Sequence, residues 1–285
     1  MSKEINFQNF PSKENKEIRN IISAPEGCYL IAADFAALEV RGLTIASKDK
    51  ALTDAIWNNT DFHMFWSKRI FEDFPEILNG DENRLNAFRK DVKNILVFPA
   101  FYGSSQNSIA NDFALRYKPI PQYIMDSVFE DFWETYYGVS NWQKECLSFY
   151  NRHGYVENIT GRRRHGILKK NEIINFPIQS FCSFDICIVA GNRLAKLSHK
   201  LNKPELHFRI NVHDELVFVV PEDKVEETVL IVSKEMVRPV YDFINIPLGV
   251  EVKVGKQWAD LDEVAKFETT DFFNYKGDCK WEEIA

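Results

Sequence analysis

The sequence predicts an α+β fold, a small antiparallel sheet with a large helical insertion between its strands. Three observations carry this. The apolar run Cys28-Tyr29-Leu30-Ile31-Ala32-Ala33 breaks off at Asp34. Far along the chain, Phe208–Val212 and Leu216–Val220 flank His213-Asp214-Glu215, and so short a polar link between strand-like runs reads as a β-hairpin with Asp214 at its tip. The long stretch between these runs has mostly helical apolar spacing.

In chain order, residues 27–34 read as a strand and Ala36 to Ser47 as a helix beyond it. Residues 61–73 and 84–98 are expected to be helical, the second carrying Arg84, Arg89, Lys90 and Lys93. Helix-like spacing continues over 120–137 and 140–151, and Tyr155–Ile159 is a short strand candidate. Pro177 suits the opening of a helix to about residue 198, apolar on most sides and therefore buried. After the hairpin, Pro221 starts a helix with Val225, Val229, Val232 and Met236 on one stripe, and Leu248–Val254 makes a final strand. The economical arrangement is one sheet carrying both aspartates, with the helical insertion between them.

The 285 residues, 45% hydrophobic and 14% aromatic, are enough for one large domain or two smaller ones with a sizeable core. No apolar stretch is expected to approach the roughly 20 residues that span a bilayer, and the opening MSKEINFQNF lacks a signal-peptide core. The expectation is a soluble, cytoplasmic protein with no membrane partner. Cys28, Cys146, Cys182, Cys187 and Cys279 are odd in number and contain no Cys-x-x-Cys, so they read as reduced thiols. A net charge of -7 argues against a simple basic nucleic-acid binder. Yet residues 151–170 hold six basic side chains against Glu157 alone, whereas 257–285 hold eight acids against three lysines. Screening limits each charge to about 8–10 Å, so an acidic chain can still present a face for a polyanion.

An aspartate in a turn is commonly a local hydrogen-bonding device. Two carboxylates at adjacent strand ends can instead hold two divalent cations that activate an attacking oxygen and stabilise a leaving one. The surrounding residues favour the second reading. Ala33-Asp34-Phe35-Ala36-Ala37-Leu38-Glu39-Val40-Arg41 resembles motif A of the family A DNA polymerases, the group of bacterial DNA polymerase I. Arg89 through Gly103 resembles their motif B, and Val212-His213-Asp214-Glu215-Leu216-Val217-Phe218 their motif C. Tyr155-Val156-Glu157 with Gly161-Arg162-Arg163-Arg164, then Asn175-Phe176-Pro177-Ile178-Gln179, resemble family segments in the right order, as does Phe7-Gln8-Asn9-Phe10-Pro11 at the start.

The resemblance implies a right-handed polymerase fold, with a palm sheet and helical fingers but no thumb. Residues 1–83 would be the first part of the palm and the start of the fingers, 84–150 the fingers, 151–258 the second part of the palm, and 259–285 an acidic, aromatic extension. Asp34 and Asp214 would bind two Mg²⁺ ions, with Mn²⁺ as an alternative, and Glu215 would support the metal or primer. Glu39 would be the steric gate against a 2′-hydroxyl, favouring a DNA product. His63, Arg89 and Lys93 would hold the triphosphate of a dNTP, Phe98 would lie against its sugar and Tyr102 near the templating base. Asn175, Gln179, Asn211 and His213 would touch the primer–template duplex, where amides read acceptors common to all base pairs, and Arg162, Arg163 and Arg164 its phosphates.

Three departures matter. From Lys93 to Tyr102 is nine residues where the family usually has eight, with Pro99 where a glycine is common. Either Lys90 and Asn94 replace the usual arginine and lysine, or a bulge absorbs the extra residue; Pro99, which cannot donate to the carbonyl of residue 95, favours the bulge. Asn171 stands where the family commonly has arginine. With only 33 residues before Asp34, the expectation is one half of a divided polymerase, of a kind found in bacteriophages, with a second polypeptide carrying the thumb and any 3′–5′ exonuclease. The rivals are a non-catalytic nucleotide- or duplex-binding subunit, and an RNA polymerase or primase of related fold. In the extension, packing back on the body competes with docking a partner.

Overall fold

A computed structural model describes residues 16–284; the Phe7–Pro11 segment lies outside them. After a 3₁₀ turn at Lys16–Ile21 comes β1 (Cys28–Phe35), then α1 (Leu38–Ser47), α2 (Lys50–Trp57), α3 (Phe62–Asp73) and α4 (Leu85–Val92). A π-helical turn, Lys93–Val97, leads into α5 (Phe98–Phe101), followed by α6 (Gln106–Arg116), α7 (Gln122–Thr135) and α8 (Tyr137–His153). The small hairpin β2 (Tyr155–Glu157) and β3 (Arg163–His165) precedes α9 (Lys170–Ser180), a second π-turn at Phe181–Cys187, and α10 (Ile188–Leu201). Then come β4 (Ile210–Val212), β5 (Glu215–Pro221), α11 (Val225–Val237), β6 (Gly249–Gln257), β7 (Asp260–Glu268), α12 (Thr269–Phe272), β8 (Phe273–Tyr275) and β9 (Trp281–Glu283).

The chain divides into two compact units. One holds residues through Gly42 and from Ser180 onward; the other is Leu43–Gln179. The second unit takes in residues 43–83 and Tyr155 through Gln179 together with the 84–150 segment.

The first unit is built on an antiparallel sheet of order β4-β5-β1-β6-β7 among the described residues. Strand alternation sorts its side chains by parity. Ile31, Ala33, Leu216, Phe218, Val220, Val250 and Val252 share one fully buried face, and α11 packs against β1, β5 and β6. On the other face Leu30, Ala32, Val212, Val217 and Trp258 form a smaller apolar cluster that stops short of Asp34. The α+β expectation holds, with one addition. β6 is not the final strand, because β7 pairs along it with two register shifts. Those bulges break the period-two pattern that reveals a strand in sequence.

The second unit is helical apart from β2–β3. Asp49, buried, accepts from Leu52 N at 3.0 Å and from Val139 N at 3.2 Å, so one carboxylate caps α2 and also holds the first turn of α8. Trp66, Phe101, Phe132 and Tyr136 form an aromatic core in which Trp66 donates its indole N–H to Tyr136 Oη at 3.0 Å.

Two sequence expectations change along the run Lys170–Leu201. Pro177 lies inside α9 and does not open it. Burial of Ile173, Ile174 and Ile178 holds the helix together across the missing N–H. The whole run is also long and apolar enough to cross a membrane by length and composition, contrary to expectation, although 61% of its apolar window is buried within the chain.

Candidate functional site

Asp34 is the penultimate residue of β1, the central strand of the sheet. Its direct neighbours are Glu215 on β5 and Glu251 on β6, so three carboxylates lie side by side on one face. Asp214 occupies the two-residue β4–β5 turn beside His213, whose φ of 54° is the left-handed backbone that such turns favour. The turn is tied to β1 because Phe35 N donates to Asp214 O at 3.3 Å. Asp34, His213, Asp214 and Glu215 line a cleft of about 350 Å³ together with Arg19, Lys253 and Trp258.

The carboxylates of this cleft resist ionisation. Burial, then the charges of Asp214 and Glu215, push Asp34 up to about 7, with Lys253 opposing them. Burial raises Asp214 as well, against its own backbone N–H, with Glu39 and Glu215 adding to the rise. Crowded carboxylates that resist ionisation fit a hard divalent ion with oxygen ligands. Among the described residues no group of three or more His, Cys, Asp and Glu side chains converges on one metal position. Asp34 and Asp214 are the side chains in this cleft that could hold a cation with oxygen ligands.

Glu215 does not point freely into the cleft. Its Oε1 accepts from Trp258 Nε1 at 3.1 Å, and the Arg19 guanidinium lies 4.3 Å above the Trp258 ring. Asn211 is turned inward too. Its Nδ2 donates to Glu215 O at 3.2 Å and His213 O at 3.3 Å, bracing the hairpin. Glu39 stands in the first turn of α1.

In the second unit His63, Arg89, Lys93, Phe98 and Tyr102 come together. The π-turn makes this possible. Phe98 N donates to Lys93 O five residues back, and Lys93 Nζ lies 5.2 Å from the Phe98 ring centroid. This is the bulge favoured by the extra residue of the segment. His63 stacks on Phe98 at 5.9 Å and 24°, and Phe98 meets Tyr102 at 6.0 Å. Burial and the nearby Lys93 and Arg89 charges push His63 down to about 4, so its ring is neutral at pH 7, and its buried Nδ1 has no hydrogen-bond partner. Arg89 is paired with Asp61, the N-cap of α3. Gly103, at φ 85°, closes the segment, where a Cβ would stand 2.6 Å from Ile174 Cδ1.

The arginine run lies on the exposed β2–β3 hairpin. Arg163 pairs with Glu157 and stacks on Tyr155 at 4.7 Å, while Arg164 pairs with Glu172 at 2.6 Å. Arg162 follows the Asn158 turn, where its N–H donates to Asn158 Oδ1 at 2.9 Å. Asn175 and Gln179 stand one turn apart on α9, and Asn175 Oδ1 is buried without a partner. Sequence reasoning missed Arg19, Glu251, Lys253 and Trp258. Strand parity could have placed Glu251 and Lys253 beside Asp34, had the β1–β6 register been known.

Against known proteins, residues 1–260 match the family model described as DNA polymerase family A. DNA polymerase I of Deinococcus radiodurans is 30% identical over 268 residues, covering 90% of this chain and 26% of that protein. The thermostable DNA polymerase I of Thermus filiformis is 29% identical over 275 residues, covering 92% of this chain and 31% of its own. The chain thus spans about a quarter to a third of the length of these relatives. Among solved structures, the POL domain of Pol1 from M. smegmatis, in complex with DNA primer-template and dNTP, aligns with a TM-score of 0.72 and 25% identity over 89% of this chain and 44% of its own. With the family model matching nearly the whole described length, the chain belongs to DNA polymerase family A.

Proposed function

We propose that the chain carries the palm and fingers of a template-directed DNA polymerase that joins a dNTP to a primer 3′ end. The observation that carries this reading is the convergence of Asp34 and Asp214 at one end of the sheet, in a cleft whose carboxylates resist ionisation. Two Mg²⁺ ions held there would favour the ionised 3′-hydroxyl and neutralise the departing pyrophosphate. The protein's own part is positional. Asp34 and Asp214 would fix the primer oxygen against the α-phosphorus, and Glu215, held by Trp258, would keep that end of the cleft in place. As the 3′-oxygen bonds to phosphorus, the bond to the bridging oxygen breaks and pyrophosphate carries away the electron pair.

His63, Arg89 and Lys93 would hold the triphosphate, with His63 acting as a neutral hydrogen-bonding group. Phe98 would lie against the sugar, Tyr102 by the templating base, and Glu39 against a 2′-hydroxyl. Arg162, Arg163, Arg164, Asn175, Gln179 and His213 are assigned to the duplex; Asn211 contributes by shaping the turn. We place the protein in the cytoplasm of a bacterial cell or a phage-infected host.

The test is single-nucleotide primer extension with Mg²⁺, comparing the chain with Asp214→Ala. Templated incorporation that the substitution lowers by at least about 10³-fold is expected, since the carboxylate acts chiefly in the transition state. Incorporation insensitive to Asp214→Ala would overturn the assignment.

A further inference from the structure

The cleft around Asp34 is bipolar. Carboxylates crowd the end formed by Asp34, Asp214 and Glu215, while Lys253 and Arg19 bring positive charge to the same cleft. Lys253 stands on β6 opposite Ala32 of β1, two positions back from the Asp34–Glu251 pair and on the same face of the sheet. Two strand residues span about 7 Å, within reach of one nucleotide of backbone measured from Asp34.

Lys253 is half-buried, and its charge favours the ionised form of Asp34 without an ion pair or hydrogen bond to any described residue. Its cross-strand neighbour on β7, Glu263, is engaged instead by Lys266 at 3.4 Å. Lys266 also takes Glu251 at 2.9 Å. The nearby acids outside the aspartate pair and Glu215 thus have another cation. An ammonium that shares a cleft with Asp34 but is ion-paired to neither Glu251 nor Glu263 can take an external anion.

We propose that Lys253, with Arg19 beside it, binds the phosphodiester of the 3′-terminal linkage of the primer strand. This assignment deepens the polymerase reading and rests on it. Carboxylates at one end of the cleft hold cations, and cations at the other hold the strand, so the terminal hydroxyl is presented to Asp34 and Asp214 by the phosphate one step upstream. Arg19 is fixed over Trp258, whereas Lys253 stands on the sheet itself, in β6.

The test is equilibrium binding of a fluorescent primer–template DNA by the full chain across a salt series without divalent metal. Lys253→Met keeps length and removes charge. It should weaken binding about fivefold to tenfold at low salt and reduce the salt slope by about 1, with recovery in Lys253→Arg. A primer whose terminal linkage is a neutral methylphosphonate should impose the same loss on the unsubstituted chain and no further loss on Lys253→Met. Additive losses would place the contact elsewhere and overturn the assignment, as would an unchanged slope in Lys253→Met. A chain that binds no primer–template in any form would overturn the polymerase reading along with it.

Discussion

Asp34 faces a carboxylate on either flank, Glu215 across one strand pair and Glu251 across the other, and this arrangement has a thermodynamic signature. Its proton leaves at about pH 7 in the folded chain but near the ordinary value of 3.8 when unfolded. The folded state therefore binds the extra proton between those values, and stability is lost as pH rises through 7. Asp34→Asn should raise the Tm of the metal-free protein at pH 8, with the gain shrinking as pH falls from 7 towards 4, while primer extension is lost throughout. Thermal melts at pH 8 and pH 5 check this; an equal gain at both would mean the carboxylate ionises without penalty. Both aspartates were legible in the sequence because motif and strand end coincide there. Lys253 was not, since its relation to Asp34 exists only through the register of two strands far apart in the chain.

At the scale of elements, the π-turn at Lys93–Val97 decides which side chains share a face. In an uninterrupted α-helix, residues five apart diverge by about 140°, yet here Lys93 lies over the Phe98 ring. We read the extra residue as absorbed in this turn, with Arg89 and Lys93 keeping their one-turn spacing. If Phe98 faces the sugar of the incoming nucleotide, the enzyme should discriminate strongly against dideoxynucleotides. Phe98→Tyr should relax that discrimination by supplying a polar group where the 3′-hydroxyl is missing. Competitive incorporation of ddNTP and dNTP measures it, and unchanged selectivity would contradict the placement. The need for a bulge could be read from residue spacing and Pro99. The course of α9 through Pro177 could not, because the packing of Ile173, Ile174 and Ile178 overrides a local rule. β7 escaped because its bulges disrupt the alternation that marks a strand.

Across the whole molecule, the acidic, aromatic extension is part of the first unit and packs against its sheet and α11. Thr269, fully buried, donates to Val237 O at 2.7 Å and accepts from Leu248 N at 2.8 Å. Arg41 of α1 bonds Glu268 at 2.7 Å and Pro247 O. The β8–β9 hairpin is held through Trp281 Nε1 to Ile244 O at 2.8 Å and by Lys234 and Arg238 around Glu283. Thr269→Val should therefore cost about 1–3 kcal/mol by stranding buried backbone groups. Urea denaturation reads this, and a loss below about 0.5 kcal/mol would mean that the extension is only loosely attached. A further consequence follows from where β7 lies. Without it, β6, with Val250, Val252 and Val254, would be the rim of the sheet, an open row of backbone donors and acceptors inviting a strand from another molecule. β7 takes that place with Asp260, Asp262, Glu263 and Lys266, and its bulges spoil a straight template. The charged strand lets many copies of a sticky sheet be made in one cell without zipping together into aggregates.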